Sequence, residues 1–503
     1  MTSFIFPRSL AGYPVHMVGI KGTGMTALAE YLSGKGARLS GSDTEEKFYT
    51  DEILTSLGIP YREGFDGANL PADAELVVHS AAYSPDSNPE LLEARRRGLP
   101  IVTYTDALGA VSALSDSAGI AGVHGKTTTT ALVGTLVKNT ELPASVIAGS
   151  AVSNFGGRST LLSGDRYFIA ETCEYRRHFL AFHPTRIVLT SVEPDHLDYF
   201  SGYEDILDAF VSYCRRLPED GALVYCADDP GAAEAARILA SSRPDIRYVP
   251  YGERADGRFA VRNVRPAEGR TVFSLAGFPG EFAVRIPGLH TVKNAAAAFA
   301  LVTLLLEDER GRLSERDLER MRAGLLEFSG SKRRSEILGE AGGVLFMDDY
   351  AHHPTAIRTT LEGLRAFYPG RRIVADFMSH TYSRTKSLLG EFASAFDAAD
   401  LVVLHRIYAS ARETDTFGIT GRDLYELALG RYPNAVYIDD PDSADEEILA
   451  GLAPGDLFIT LGAGDNWKLG RRLYERLSGR AGHEAVPRRT EFRRGDDSGR
   501  TNR

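Results

Sequence analysis

Cysteine is scarce: three residues, Cys173, Cys214 and Cys226, stand in a chain of 503, and no two of them form a Cys-x-x-Cys pair. That number and spacing exclude a disulfide framework and a thiolate metal centre, and they suit a reducing compartment, so a cytoplasmic location is expected. Basic charge is also short, with 57 Lys and Arg against 68 Asp and Glu for a formal net charge of −11. A chain of that sign argues against general nucleic-acid binding, whereas a local positive site could still take a small anion. No basic start followed by a long apolar stretch opens the sequence, and no window is expected to reach the roughly 18 apolar residues of a membrane span. Neither export nor a membrane partner is expected. What is present is the composition of a globular protein, 43% hydrophobic and 25% charged. The length predicts about two to four domains.

The densest signal is Gly119-Ile-Ala-Gly-Val-His-Gly-Lys-Thr-Thr-Thr-Thr130, an apolar strand end running through a glycine turn into a helix from about Thr127. Gly122 and Gly125 allow backbone N–H groups to turn toward an anion, and the helix start adds its partial positive charge. Lys126 can reach terminal phosphates, and the hydroxyl of Thr127 or Thr128 can ligate Mg²⁺. The Gly-Lys-Thr half follows the general phosphate-loop pattern; upstream, Ile120 stands where that pattern has glycine. The plainer alternative is a glycine-rich turn carrying a solvent-exposed lysine.

Upstream, the run Pro14 to Ile20 ends in Gly19-Ile-Lys-Gly22-Thr23-Gly24, followed by helical periodicity over Thr26 to Ser33 and a strand closing on Gly41-Ser-Asp43. Strand, glycine turn, helix, strand and acidic residue is the order of a dinucleotide-type unit. The glycines are shifted from the usual fingerprint and Lys21 interrupts them, so the diphosphate of a nucleotide other than NAD is the better expectation. The strand Leu76 to His79 runs into Ser80, at the edge where open α/β sheets place ligands. A short helical linker is expected over Thr105 to Ser117, with the first domain boundary there.

Beyond the glycine turn, Tyr167-Phe-Ile-Ala-Glu171-Thr-Cys-Glu174 is an apolar strand ending in two carboxylates. A second strand, Arg186 to Ser191, ends in Val192-Glu193-Pro-Asp195-His196-Leu-Asp198. Carboxylates and an imidazole at adjacent strand ends suit Mg²⁺ or Mn²⁺ beside a triphosphate, with Glu171 and His196 foremost; a solvated turn is the alternative for Glu193, Asp195 and Asp198. Short peripheral strands are expected from Ala222 to about Glu281, then a helix from beyond Gly288 to Leu306 carrying Asn294 in its first turn, where the amide could read a base edge or merely cap. A charged stretch spans Glu307 to Glu319. Phe328 to Glu336, with Gly330, Arg333 and Arg334, resembles a hinge between domains that also touches phosphate.

A third α/β pattern follows. Val344 to Met347 leads to Asp348-Asp349-Tyr350-Ala-His352-His353-Pro354, Arg372 to Phe377 to Ser379-His380-Thr381-Tyr-Ser-Arg384, Leu401 to Leu404 to Tyr408 and Arg412, and Leu457 to Leu461 to Gly462-Ala-Gly464-Asp465. Four strands carry their polar residues at one end. Packing does not demand that, so this edge is expected to face substrate. The tail from Ser478 is rich in Arg, Gly and acidic residues and is expected to be disordered.

Taken in order, Gly-Val-His-Gly-Lys-Thr-Thr-Thr, the Glu171 strand, Pro-Asp-His-Leu-Asp, the Gly-x-His-x-x-x-Asn turn, Gly330 with Arg333-Arg334, Asp-Asp-Tyr-Ala-His-His-Pro-Thr and Gly-Ala-Gly-Asp resemble the Mur ligase family, the ATP-dependent amide-forming enzymes of peptidoglycan precursor synthesis. The resemblance implies an α/β fold of three domains: a Rossmann-like one over 1–112 for a UDP-sugar, a central ATPase-type one over 113–328, and a Rossmann-like one over 329–478 presenting an amino acid, with 479–503 as tail. The opening His-Met-Val-Gly-Ile-Lys-Gly-Thr-Gly-Met and closing Leu-Gly-Ala-Gly-Asp most resemble members that use UDP-N-acetylmuramate and L-alanine. By position, the resemblance makes Lys126, Glu171 and His196 catalytic. Gly122, His124, Gly125, Lys126, Thr127, Thr128, Asn294, Arg334 and Asp349 would hold ATP; Thr127, Glu171 and His196 would hold Mg²⁺. Gly22, Thr23, Gly24 and Ser80 would hold the UDP part, and Tyr350, His352, His380 and Arg384 would surround the amino acid. The sequence departs from the family pattern at Ser191 and Thr291, where asparagine is usual, at Ser379, where proline is, and at Thr381, where arginine is. No lysine lies between Leu197 and Arg216, so a carbamylated lysine bridging metals is not expected. A ligase adding a whole peptide to the same sugar nucleotide and a non-catalytic nucleotide-binding regulator are the alternatives, and a monomer or homodimer is expected.

Overall fold

The computed structural model describes residues 4–479 except 197–198, 268, 410–412 and 414. Asp198, Arg412 and the tail beyond Gly479 therefore lie outside the described residues, while Ser478 and Gly479, expected to begin that tail, end the helix Trp467–Gly479. The chain forms three α/β units, each built on its own largely parallel sheet.

In the first, five parallel strands run in the spatial order Tyr61–Glu63, Arg38–Asp43, Pro14–Val18, Leu76–His79, Ile101–Thr103. Met17, Val18, Leu76, Val77 and Val78 have no exposure at all, as strands covered on both faces require. Buried His16 is satisfied from both ring nitrogens, by Ser40 Oγ at 2.8 Å and Glu90 Oε2 at 2.9 Å, which ties the central strand to the helix Pro89–Arg96.

The second sheet has seven strands in the order Arg247–Tyr251, Ala222–Cys226, Arg186–Leu189, Asp116–Ala121, Tyr167–Glu171, Ala144–Val152, Arg158–Leu162, parallel except for the last hairpin. Three expectations change here. The linker is the helix Tyr104–Ser112, and its expected final residues already belong to the first strand of this sheet, Asp116–Ala121. Ala222–Cys226 and Arg247–Tyr251 are not peripheral but parallel members of the sheet, joined by the helix Pro230–Ser242, which Asp229 caps through its bond from Ala232 N–H and which has proline in its first turn. The strands Val261–Ala267, Arg270–Leu275 and Phe282–Val284 do form a separate antiparallel sheet. The charged stretch holds the end of one helix, Leu289–Arg310, and the start of another, Glu315–Glu327, begun by a reciprocal cap between Ser314 and Asp317. Leu289–Arg310 also corrects the composition reading, because by length and apolar content it could cross a membrane. It is instead packed inside the unit, with 83% of its apolar window buried.

The third sheet runs Glu336–Ala341, Val344–Asp349, Asp456–Leu461, Arg372–Phe377, Leu401–Leu404, Val436–Tyr437, with the first strand antiparallel to the second and the remainder parallel. The four strands expected to share one end do so. Beneath them lies a fully buried pair: His405 Nε2 meets Asp376 Oδ2 at 2.8 Å, its Nδ1 donates to the Ile438 carbonyl at 2.7 Å, and Asn466 Nδ2 donates to Asp376 Oδ1 at 2.9 Å. Burial pushes the His405 pKa down, but Asp376 outweighs it and holds the imidazole above its usual value. Asp376→Ala is expected to cost this unit about 3–5 kcal/mol, because an imidazolium is left buried without its partner. An earlier transition in a denaturant titration checks it. Since the folded pKa is the higher one, the pair's contribution is complete below about pH 6.5 and declines as pH rises through the folded value.

Candidate active site between the three units

The glycine turn follows the central strand Asp116–Ala121 and opens the helix Lys126–Thr140, one residue earlier than expected. Gly122 and Gly125 have φ of 136° and 80°, in the region that favours glycine. A Cβ on Gly122 would come 2.1 Å from Thr190 Oγ1, and one on Gly125 would come 2.6 Å from Asn294 Oδ1. Space and backbone conformation both exclude a side chain there. Asn294, buried on the helix Leu289–Arg310, thus braces the turn from outside. Ser191 accepts the His124 backbone N–H at 2.8 Å, so the serine found in place of asparagine has a structural task.

Lys126 is held at the mouth of this turn. Its ammonium donates to Glu174 Oε2 at 2.9 Å and Oε1 at 3.1 Å, to the Val123 carbonyl at 3.3 Å, and to the Gly122 carbonyl. Glu174 Oε1 also lies 3.5 Å from His196 Nε2. Burial pushes the Lys126 pKa down and that of Glu174 up, yet the ion pair dominates and shifts each in favour of its charged form. His196 has left-handed backbone, φ 53°, and its ring lies 4.9 Å from that of Tyr175. Glu174 therefore links two of the three expected catalytic residues, Lys126 and His196. The sequence offered it as the second carboxylate after the strand, without a spacing that ranked it above Glu171.

Glu171 ends its strand beside a cavity of about 140 Å³ shared by the first two units, lined among others by Gly24, Tyr104, Gly149, Glu171 and Cys173. Its Oε2 accepts the Gly149 N–H at 3.0 Å. Gly24 is needed for contact, since a Cβ there would lie 2.9 Å from the Tyr104 ring. Gly22, Thr23 and Ser80 stay outside this lining, around the first glycine turn, where the Thr23 hydroxyl accepts from Tyr49 OH at 3.2 Å. Lys21 is committed to protein partners. Its buried ammonium donates to the Thr44 and Glu46 carbonyls and to Glu63 Oε1 at 2.8, 3.1 and 2.9 Å.

From the third unit, Arg334 Nη2 reaches Thr127 Oγ1 at 3.4 Å, linking the hinge to the phosphate turn. The hinge is bent through Gly330, Arg333 and Ser335 at φ 95°, 60° and 45°. Asp349 holds that bend, accepting from Ser335 N–H at 2.6 Å, Ser335 Oγ at 3.0 Å and Ala351 N–H at 2.8 Å. Tyr350 lies against Arg333 and Arg334, each guanidinium 5.0 Å from its ring centre. Arg384 crosses to the central unit, donating Nε at 3.1 Å and Nη2 at 2.9 Å to Asp195 Oδ1, while Nη1 lies 3.3 Å from His380 Nδ1. Burial raises the Asp195 pKa, but Arg384 first and then His196 hold it far below the carboxylate range. A cavity of about 50 Å³ opens beside this pair, lined by Pro194, Asp195, His196, Thr381, Ser383 and Arg384 with Ser387 and Leu388. His352 donates Nδ1–H to the Tyr350 carbonyl at 2.9 Å, and burial, reinforced by Arg384, keeps it neutral. His380 stacks on Tyr408, ring centres 5.8 Å apart.

The structure thus gathers Lys126, Thr127 and Arg334 at the phosphate turn, Glu171 and Gly24 on the larger cavity, and His196 and Arg384 on the smaller. Thr128 stands half-buried on the first turn of the same helix. Glu174 and Asp195 were missed as site residues because their roles depend on partners 48 and 189 residues away.

Family models match all three units: one described as Mur ligase family, catalytic domain, over residues 14–115, one as Mur ligase middle domain over 120–302, and one as Mur ligase, glutamate ligase domain over 333–464. Among curated proteins, UDP-N-acetylmuramate--L-alanine ligase of Treponema pallidum is 54% identical over 93% of this chain and 97% of its own length. The protein of the same name from Desulfitobacterium hafniense is 40% identical over 91% and 99%. Among solved structures, UDP-N-acetylmuramate-alanine ligase from Thermotoga maritima aligns with a TM-score of 0.73 at 26% identity, over 93% of this chain and 99% of that one.

Proposed function

The chain belongs to the Mur ligase family, and on that premise we propose that it joins L-alanine to the carboxylate of UDP-N-acetylmuramate, with ATP cleaved to ADP and phosphate, in peptidoglycan precursor synthesis. The observation that carries this reading is the 54% identity to an enzyme of that name over nearly the full length of both chains. It is an ATP-dependent, amide-forming ligase. The division of labour follows the three units, 1–112 for the UDP-sugar, 113–328 for ATP and 329–478 for the amino acid.

The order of events follows from what each unit holds. The sugar carboxylate approaches the phosphate turn from the first unit, through the cavity between Gly24 and Glu171. Lys126 neutralises charge on the γ-phosphoryl group as it passes to that carboxylate, leaving Glu174 to His196 as it turns toward phosphate. Arg334 comes to the same phosphates from the hinge, and Asn294 positions the turn and meets the base. L-Alanine enters the small cavity beside Arg384, loses its ammonium proton, and attacks the acyl phosphate; the tetrahedral intermediate collapses to amide and inorganic phosphate. Tyr350, His352 and His380 surround that amine. Gly22, Thr23 and Ser80 carry the UDP portion at the first turn.

Glu171 on the larger cavity, Thr127 on the helix after the glycine turn and His196 on the smaller cavity would hold Mg²⁺, as donors spread over more than one position and not as a single cluster, the carboxylate and hydroxyl oxygens suiting a hard cation and the imidazole being a borderline ligand. When bound, that ion supplies charge stabilisation to the phosphoryl oxygens. We place the reaction in the cytoplasm, consistent with three free cysteines, and take the working unit to be a monomer or homodimer.

Phosphate release from ATP is expected to require UDP-N-acetylmuramate and L-alanine together. Amide product should form with L-alanine and not with a tripeptide acceptor. A preference for the tripeptide would reassign the enzyme to peptide recycling, and no amide with either acceptor would overturn the reading.

A further inference from the structure

We propose that His124, Glu193 and His353 form a binding site for a divalent transition-metal ion of the Zn²⁺ or Co²⁺ class, bridging the central and C-terminal units. One ligand atom from each lies within 4.8 Å of the others. They come from three separate places: the phosphate turn, the segment after the strand Arg186–Leu189, and the residue capping the helix Pro354–Phe367. None of them belongs to the Mg²⁺ set assigned above. Two imidazoles and one carboxylate are borderline donors that favour such an ion over Mg²⁺, which prefers oxygen. A tetrahedral ion with ligands at about 2.0–2.1 Å sets them roughly 3.3 Å apart. The widest pair therefore needs to close by roughly 1.5 Å from 4.8 Å, within the reach of side-chain rotation.

Two of the groups are already in ligating form: burial keeps His353 neutral, and the contact with His124 holds Glu193 ionised against the effect of burial. Metal binding replaces the His124–Glu193 contact, any proton on that ring nitrogen leaving to solvent. His124 Nε2 and Glu193 Oε1 are in direct contact, and the rings of His124 and His353 are 5.1 Å apart. Glu193 is oriented from behind, its Oε2 accepting from Thr355 Oγ1 at 3.1 Å, and the His124 main chain is fixed by Ser191. Such outer contacts set ligand direction in metal sites. The nearby charge suits a cation: Asp229 lies close enough to Glu193 to feel its charge, and the cation on that side, Arg384, is bound to Asp195. Metal at His353 Nε2 puts the ring proton on Nδ1, so the 3.3 Å contact that Nδ1 now accepts from Thr355 N–H is exchanged for the metal bond. Because His353 belongs to one unit and the other ligands to another, the ion would staple the two units together.

The test uses the full chain freed of metal by a chelator, titrated with Co²⁺ in excess Mg²⁺ so that oxygen-rich sites are filled. A visible absorption band of nitrogen-ligated Co²⁺ is expected at one equivalent, displaced by Zn²⁺. His353→Gln and Glu193→Gln should each weaken it at least about tenfold, while Glu171→Gln leaves it unchanged. In parallel, Zn²⁺ should raise the unfolding temperature of the parent protein and not that of Glu193→Gln, a readout that holds even if His353→Gln folds poorly. No band, a band untouched by the His353 and Glu193 changes, or one abolished by Glu171→Gln would overturn the proposal. None of these outcomes depends on which amino acid the enzyme joins.

Discussion

Lys126→Ala is expected to lower kcat by about 10²–10³-fold, equivalent to about 2.7–4 kcal/mol of transition-state stabilisation, the loss seen when one preorganised group facing developing charge is removed. Steady-state phosphate release with all three substrates measures it. The structure adds a complication that separates two effects. Glu174 is buried, and its ionised form is held by Lys126. The single variant therefore also leaves a buried carboxylate without its main partner, a change that costs about 3–5 kcal/mol of stability when nothing relaxes. His196, 3.5 Å away, remains as its other partner. The pair Lys126→Ala with Glu174→Gln should recover the unfolding temperature without recovering turnover. Recovery of both would show that Lys126 serves the fold and not phosphoryl transfer.

Much of this arrangement was legible in the sequence because it depends on local geometry. The Gly-Lys-Thr turn, the strand Tyr167–Glu171 and the four strands ending at one edge of the third sheet are patterns within a few residues, and each appears as read. The misread elements are those where composition pointed two ways. Pro230–Ser242 buries Ala232, Ala235, Ala236 and Leu239, a stripe made mostly of alanine and so faint in the sequence, and the strands it joins were taken for peripheral ones. Leu289–Arg310 is apolar on every side because it is packed on every side, and the same property makes it resemble a membrane span. Apart from the hinge arginines, of which Arg334 does reach Thr127, contacts between units were not legible. Nothing local in Pro194-Asp195-His196 shows that Asp195 will meet an arginine 189 residues later, and nothing in His352-His353 shows that the first faces His380 while the second faces the phosphate turn.

Arg384→Ala is expected to lower kcat/KM for L-alanine by at least about 10²-fold, corresponding to about 3 kcal/mol and to the lower part of the range for breaking a buried ion pair. The guanidinium has five N–H donors. Nε and one hydrogen of Nη2 go to Asp195, and Nη1 is directed at His380. Nη1 also reaches the His380 carbonyl at 3.5 Å. Arg384 lines the small cavity, and a guanidinium can grip a carboxylate there with two parallel hydrogen bonds once it turns from His380. With Thr381 where the family usually has a second arginine, Arg384 is the cation expected to hold the amino-acid carboxylate. Its removal then acts twice, taking away that grip and leaving Asp195 buried and uncompensated next to His196. The two losses are separable by kinetics. Loss of the grip raises KM for L-alanine; loss of the cross-unit pair weakens closure and lowers kcat while sparing KM for ATP. Arg384→Lys retains a charge near Asp195 but not the fork, so kcat should return further than KM for L-alanine. If KM for L-alanine is unchanged in both variants, Arg384 holds the units together and another group receives the carboxylate.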